Sequence, residues 1–479
     1  MEASSLKQKT AKGLFWGGLS SGTQQVLQLV FGLFFARMLV QEDYGMVGVL
    51  AIFTSIASVL VTSGFPTALV NLKNITHEDY NAVFWFSSLT GLFLYLIMFF
   101  CAPLIALLFG YSELTALSRI LSLGFLFAGF SVASSTFLHK NLMVKEQTLI
   151  NIISLFTGGT VGVILVLYGF RYWGLAIHVV LYIALGSVLK IIFSPWKPTL
   201  NLNFFPLKGM FSFSSKILLT SIFNIVNTNI FSFILGKWFT LTDVGNYNQG
   251  YKWMTIGHSS IGGMINSVTQ PILAQMSDSK ERQLAALRKF IRFGAFVSFP
   301  LMLGLAFVGK EFIVVAIGEK WLPAVPFLQL FSIWGAFGFL NTLYTNLVFT
   351  LGKSNMYMYV TITCGVLQLI TVFLLYRFGI FPMVIGFVVM YFAGLFIWQC
   401  VTSRLIGLRL KYVMKDILPY LLITGACFMV AWLLVRDIQN IYLLLSLKVL
   451  ISMGLYFLVL KLSKSKIFEE SIEFIRKRK

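Results

Sequence analysis

The chain has 479 residues, 58% of them apolar and 11% charged, with a mean hydropathy of +0.84. A soluble domain carries about 25% charged residues, so this composition excludes a water-soluble globule, and no stretch is left to fold a soluble enzyme beside a membrane anchor. The excess of 37 Lys and Arg over 17 Asp and Glu follows the rule that cytoplasmic loops of membrane proteins collect basic residues, so no nucleic-acid partner is expected.

Lys7, Lys9 and Lys12 precede an apolar run from Gly13 to Ala36, closed by Arg37. It is too long for a signal-peptide core and ends without a small-residue cleavage site, so it reads as a retained first span. Apolar stretches at 46–70, 82–109, 117–138, 148–169 and 173–193 give spans two to six. The connection from Ser194 to Met210 holds Pro195, Pro198 and Pro206 with Lys197 and Lys208, and marks a boundary between two halves. Further stretches at 212–236, 247–275, 288–309, 325–350, 355–377, 380–403, 417–435 and 440–461 bring the expectation to about fourteen spans in an all-α polytopic membrane protein.

The expected organisation is an N-terminal lobe over 1–193, a linker over 194–210, a C-terminal lobe over 211–405, a helix pair over 406–461 and a cytoplasmic tail over 462–479. In the tail Phe468, Ile472 and Ile475 share one helical face, which leaves two readings open: a short amphipathic helix on the inner leaflet, or a solvated tail. With the N-terminus inside, only Arg37, Arg119, Arg171, Lys237, Lys310, Lys320, Arg377 and Arg436 fall outside, and Lys252 and Lys448 fall within spans. All other Lys and Arg residues are then cytoplasmic, a bias that places both termini in the cytoplasm and supports an even span count.

The end of span one, from Phe35 to Gly45, is echoed at the end of span seven, from Leu235 to Gly245. Arg37 pairs with Lys237, Asp43 with Asp243 and Gly45 with Gly245 at an offset of 200 residues, and Pro66 has a counterpart in Pro271. Self-similarity at a half-chain period is the mark of two-lobed transporters with parallel repeats.

Every acidic residue can be placed in a loop, at a span end or in the tail, which weighs against a carboxylate-driven antiporter. The four cysteines and four histidines show no metal-ligand spacing, and no cofactor is expected. His178 and His258 read as packing residues within spans. Span eight carries Asn248, Lys252, Thr255, Ser259, Gly262, Asn266 and Gln270 at steps of three or four, a polar stripe along one helix face. Span one repeats the pattern with Gly17, Ser20, Gln24 and Gln28, span seven with Lys216, Thr220, Asn224 and Asn227, and span two with Ser55, Ser58 and Thr62. Such faces look at protein or at a water-filled cavity. Close packing through small residues, as at Gly13, Gly17, Gly18 and Gly22, stays open for spans one and two, and Lys252 could also snorkel to the interface. Hydrolase and phosphate-loop signatures are missing; Gly352-Lys353-Ser354 has Leu347 where such a loop needs glycine.

The segments Gly13 to Trp16 with Gln24-Gln25, Ala36-Arg37 through Asp43-Tyr44-Gly45, Ile75 to Asp79, Gly236-Lys237 through Gly245-Asn246-Tyr247, Gln270 to Leu273 and Gly318 to Trp321 carry a resemblance. From about residue 7 to about residue 430 the chain resembles the Wzx-type polysaccharide transporter branch of the multidrug/oligosaccharidyl-lipid/polysaccharide flippase superfamily. The resemblance implies two six-helix lobes around a central cavity, lined by helices one, two, seven and eight, plus two C-terminal helices. It implies a flippase in the bacterial inner membrane for glycan repeat units on undecaprenyl diphosphate, with a glycan polymerase and export machinery as further partners. On that reading Lys252, Gln24, Gln28, Lys216, Asn224, Asn227, Asn248, Thr255, Asn266 and Gln270 line the cavity, and Arg37, Arg119 and Lys237 attract the diphosphate, unless they only mark the interface. A cation-coupled small-molecule exporter and a membrane-embedded glycan-modifying enzyme are the competing readings; the first needs a titratable carboxylate in a lobe cavity and the second a catalytic His, Asp or Glu in a span or a long external loop, and the sequence shows neither feature.

Overall fold

The computed structural model describes residues 22–72, 75–141, 143–276, 279–463, 465 and 467–470. Among the described residues there are helices, turns and connections but no strands. Eleven helices are long and apolar enough to cross a bilayer, and the three other long helices, at the positions of spans one, seven and eight, are ones in which the sequence sets a polar stripe. The protein is thus an all-α, multi-pass membrane protein, as a bilayer requires of spans that must satisfy their backbone polar groups internally. The described residues form two compact units, Met1–Gly245 and Asn246–Lys479; this division falls later in the chain than the expected linker.

The first unit contains α1 over 22–38, α2 (Gln41–Thr62), α3 (Phe65–Asn71), α4 (His77–Phe109), α5 (Glu113–Lys140), α6 (Val144–Leu167), α7 (Tyr172–Phe193), α8 (Leu207–Trp238) and the start of α9 (Leu241–Gln275). Expected span two is broken into α2 and α3, because Ser63 (φ 49°) and Gly64 (φ 74°) are both left-handed. Glycine is needed there: a Cβ on Gly64 would crowd the carbonyl oxygen of Ser214 in α8. Pro271 does not repeat this break, since α9 runs through it to Gln275. Helices α6 and α7 approach through Gly158, Gly162 and Gly174, each facing the other helix's backbone, which maximises packing where lipid offers no hydrophobic drive. Phe31, Phe35, Leu39 and Val166 form a core cluster beside this pair.

The connection over 194–206 is non-helical but firmly held. Trp196 is buried and its ring lies 5.7 to 6.0 Å from those of His77, Tyr80 and Phe84. Asn81 donates to the Asn201 carbonyl at 2.6 Å and accepts from the Thr199 amide at 2.9 Å, while Trp85 Nε1 donates to the Thr199 carbonyl at 2.7 Å. One face of the first turns of α4 therefore grips the segment at Trp196, Thr199 and Asn201.

The second unit holds the rest of α9 with α10 (Lys280–Ser298), a π-turn (Phe299–Leu303), α11 (Gly304–Phe307), α12 (Gly309–Ile317), a 3₁₀ turn (Glu319–Ala324), α13 (Val325–Thr350), α14 (Ser354–Leu375), α15 (Ile380–Ile406), α16 (Leu410–Val435) and α17 (Ile441–Leu462). Span nine begins eight residues earlier than hydropathy places it, because the first turns of α10 are amphipathic: Ser279 caps the helix by accepting from the Arg282 amide at 3.4 Å, and Gln283, Leu287 and Ile291 are buried while Arg282 and Lys289 face outward. The loop expected after span nine is instead helical, and anchors Trp321 with no exposed surface. At the tail, Phe468 packs on Phe296 and Phe457 and Glu470 pairs with Lys289 at 2.6 Å. Phe468 is thus buried in protein; Ile472 and Ile475 lie outside the described residues.

Candidate functional site

The polar stripe of α9 is the less covered face of that helix. Asn248, Lys252 and Thr255 are partly buried and Ser259 and Asn266 exposed, whereas Trp253, Met254, Ile261 and Ile265 on other faces are buried. The packing face is set by an aromatic ridge. Tyr247 meets Phe331 of α13 edge-on at 5.2 Å, Tyr251 meets Trp334 at 5.9 Å, and Gly335 and Gly338 leave room for Met254 and His258. Once that ridge is docked, helical periodicity turns Asn248, Lys252, Thr255 and Ser259 away from α13.

The Lys252 ammonium lies 5.6 Å from the centroid of the Trp253 ring, within cation–π reach. Thr255 and Ser259 hydroxyls donate to their own helix, at the carbonyls of Tyr251 and Ile256. Asn266 accepts from Asn346 Nδ2 at 2.8 Å. Of the span-one residues, Gln24 is partly buried and Gln28 exposed. The side chains of Lys216, Asn224, Asn227 and Gln270, like Gly17 and Ser20, lie outside the described residues.

The three further basic residues have separate surroundings. Arg37 is exposed at the end of α1. Arg119 lies 4.3 Å from the Phe99 ring centroid and donates to the Phe99 carbonyl at 3.2 Å. Lys237 donates to the Leu108 carbonyl at 2.7 Å. Two of the three thus bind carbonyls of α4.

Three acid–base pairs were not foreseen. Glu311 and Lys448 form an ion pair at 2.8 Å with both side chains about nine-tenths buried, and the ammonium also faces the Phe307 ring at 4.7 Å. A lone lysine in mid-span is itself the signal, since a buried charge needs a partner; Glu311, read as a loop acid, hides on the short α12. Arg288 holds the buried Asp416 by two bonds at 2.7 and 3.0 Å. Within the second unit, the two pairs fasten the C-terminal helices α16 and α17 to α10 and α12. In the first unit, Asp43 is buried and pairs with Arg171 at 3.0 Å.

Asp43 also explains part of the sequence repeat. It accepts from the Val40 amide at 3.1 Å, and Asp243 accepts from the Thr240 amide at 3.2 Å and hydroxyl at 2.8 Å. Both are helix caps, satisfying amide groups that the first turn leaves open. Their place in the repeat is therefore architectural.

Known proteins agree with this architecture. The chain is 15% identical to the solved structure of the lipid II flippase MurJ in an inward closed conformation, with a TM-score of 0.75 over 96% of this chain and 100% of that one. An inward-facing multidrug resistance MATE family transporter of the MOP superfamily gives 0.63 over 80% of this chain and 95% of its own, at 15% identity. At these identities the likeness establishes the fold. By sequence, the chain is 26% identical to a membrane protein of the cps region of Klebsiella pneumoniae over 97% of both chains. It is 26% identical to the teichuronic acid biosynthesis protein TuaB of Bacillus subtilis over 69% of both, and 24% identical to the lipopolysaccharide biosynthesis protein WzxC of Escherichia coli over 69% of this chain and 68% of that one. Residues 34–326 match the polysaccharide biosynthesis protein family, and the chain belongs to that family.

Proposed function

We propose that the protein is a flippase that carries undecaprenyl-diphosphate-linked oligosaccharide or polysaccharide repeat units across the bacterial inner membrane by alternating access, with both termini in the cytoplasm. The observation that carries the reading is the polar face of α9, the less covered side of that helix. In a chain so apolar, a helix of 35 residues keeps amide, hydroxyl and ammonium groups along one side, a costly arrangement in lipid. A diphosphate with sugars attached suits such a face: anionic oxygens match the charge of Lys252, and sugar hydroxyls match amide and hydroxyl groups such as those of Asn248 and Ser259. We assign Gln24, Gln28, Lys216, Asn224, Asn227 and Gln270 to the substrate path from their spacing in the sequence.

On this reading residues 1–193 and 211–405 are the moving lobes and 406–461 an appended helix pair, fourteen spans in all. Arg37, Arg119 and Lys237 mark the outer end of the path. Cation coupling through a carboxylate finds little support: Asp43, Glu311 and Asp416, the buried acids among the described residues, each have a basic partner.

The test is reconstitution. In proteoliposomes holding a polyprenyl-diphosphate-linked oligosaccharide on one leaflet, the protein should expose the glycan to an impermeant glycosidase on the other. Protection equal to that in protein-free vesicles would overturn the proposal.

A further inference from the structure

Within the first unit a second polar site lies away from α9. It is a cavity of about 550 Å³ lined by α2, α3, α5, α6 and α7, at the end where α5 and α7 finish and α6 begins. Lys190 reaches it from the last turn of α7. Among the described residues Lys190 Nζ has neither a hydrogen bond nor an ion pair. The acids of the surrounding helices, Glu42, Asp43, Glu113 and Glu146, do not line the cavity.

Two sets of the other lining groups bear on what the cavity can hold. The hydroxyls of Thr62, Ser131 and Thr136 donate to helix carbonyls at 2.8 to 3.1 Å and have no proton left to offer. Ser135, Gln147, Asn151 and His139 line the same cavity, and their side-chain donors are uncommitted among the described residues. With Lys190 they make five donor side chains from three helices around one space. A partly buried ammonium without a counter-charge is unfavourable at the edge of a bilayer, and several separated N–H and O–H donors suit a polyatomic oxyanion better than a spherical one.

We propose that this cavity is a phosphate-binding site. Its ligand is a phosphate group, borne either by a lipid headgroup of the adjoining leaflet or by a free anion. Lys190 supplies the charge, and Asn151, Gln147 and Ser135 supply hydrogen bonds to the remaining oxygens. The site stands apart from the glycan reading, and its test contains no transport step, so the two can fail separately.

The test uses the purified full-length protein in dodecyl maltoside, stripped of phospholipid. Thermal unfolding is followed while sodium phosphate or dihexanoyl phosphatidylglycerol is titrated, against sodium chloride at matched ionic strength. A ligand that binds only the folded state raises its midpoint, so at least one titrant should give a saturable rise of about 2 °C or more. The rise should vanish in Lys190→Gln and in Asn151→Leu and persist in Lys190→Arg. A response to the lipid alone identifies a headgroup site, and a response to inorganic phosphate as well identifies a free-anion site. No rise beyond sodium chloride with either titrant, or an unchanged rise in Lys190→Gln, would overturn the assignment. Should Lys190→Gln not purify folded, Asn151→Leu makes the same comparison.

Discussion

Gly45 and Gly245 are pressed against each other's helix. A Cβ on Gly45 would overlap the carbonyl oxygen of Leu241, and one on Gly245 would overlap that of Gln41. Gln41 and Leu241 are the first residues of α2 and α9, at the same 200-residue offset as the glycines, so the two contacts are one contact seen from both halves of the repeat. A weak pattern of matched letters is thus a local two-fold crossing of helix starts, each capped by its own aspartate.

That crossing tolerates no side chain. Gly45→Ala and Gly245→Ala should each destabilise by about 1–3 kcal/mol through overpacking against rigid backbone. The double variant should cost less than the sum, because the first shift makes room for the second. Gly454→Ala, with no atom within 4 Å of the added Cβ, is the control and should leave the melting temperature of the purified protein unchanged.

Lys252 is expected to matter through its charge. A fixed cation about 4 Å from a diphosphate is worth roughly 4 kcal/mol per charge at an effective dielectric of 20. Lys252→Ala should lose glycan export while the protein still inserts in the membrane, and Lys252→Arg should keep part of it. Normal export by the alanine variant would mean that the ammonium only reaches the interface.

The Glu311–Lys448 pair gives a prediction about stability. Removing one partner leaves a charge nine-tenths buried, and Lys448→Met or Glu311→Gln alone should cost about 3–5 kcal/mol. Lys448→Met combined with Glu311→Leu should recover most of that loss, because an apolar pair has no desolvation penalty. Midpoints of thermal unfolding of the three variants decide the matter; additive losses would contradict it.

Asn81 holds the 194–206 segment by two hydrogen bonds, and neither is replaced in Asn81→Ala. The variant should lose about 1–3 kcal/mol and become sensitive to limited proteolysis within 194–206, where the parent chain resists. Equal cleavage of both would show that Trp196 alone keeps the segment in place.

Transport should respond to membrane potential. Each negative charge moved outward gains about 2.3 kcal/mol per 100 mV, and the buried acids among the described residues are engaged by basic partners. Collapsing the potential with a potassium ionophore, with the pH gradient kept, should slow flipping in vesicles; an unchanged rate would contradict this.

Composition and hydropathy alone determined that this is a polytopic α-helical membrane protein, because a bilayer requires long apolar runs and those runs are visible in one dimension. The polar stripe from Asn248 to Asn266 was legible for a similar reason, since helical spacing groups residues without any partner. The partners themselves were not legible. Glu311 and Lys448 are 137 residues apart, Lys190 falls in sequence among the cytoplasmic basic residues, and the proline-rich 194–210 connection reads only as a linker between two halves. Only tertiary packing brought α12 to α17, closed five helices around Lys190 and laid Trp196 on α4. Periodicity records which face of a helix is polar, whereas which charges are neutralised depends on contacts far apart in sequence, and those form only when the helices pack.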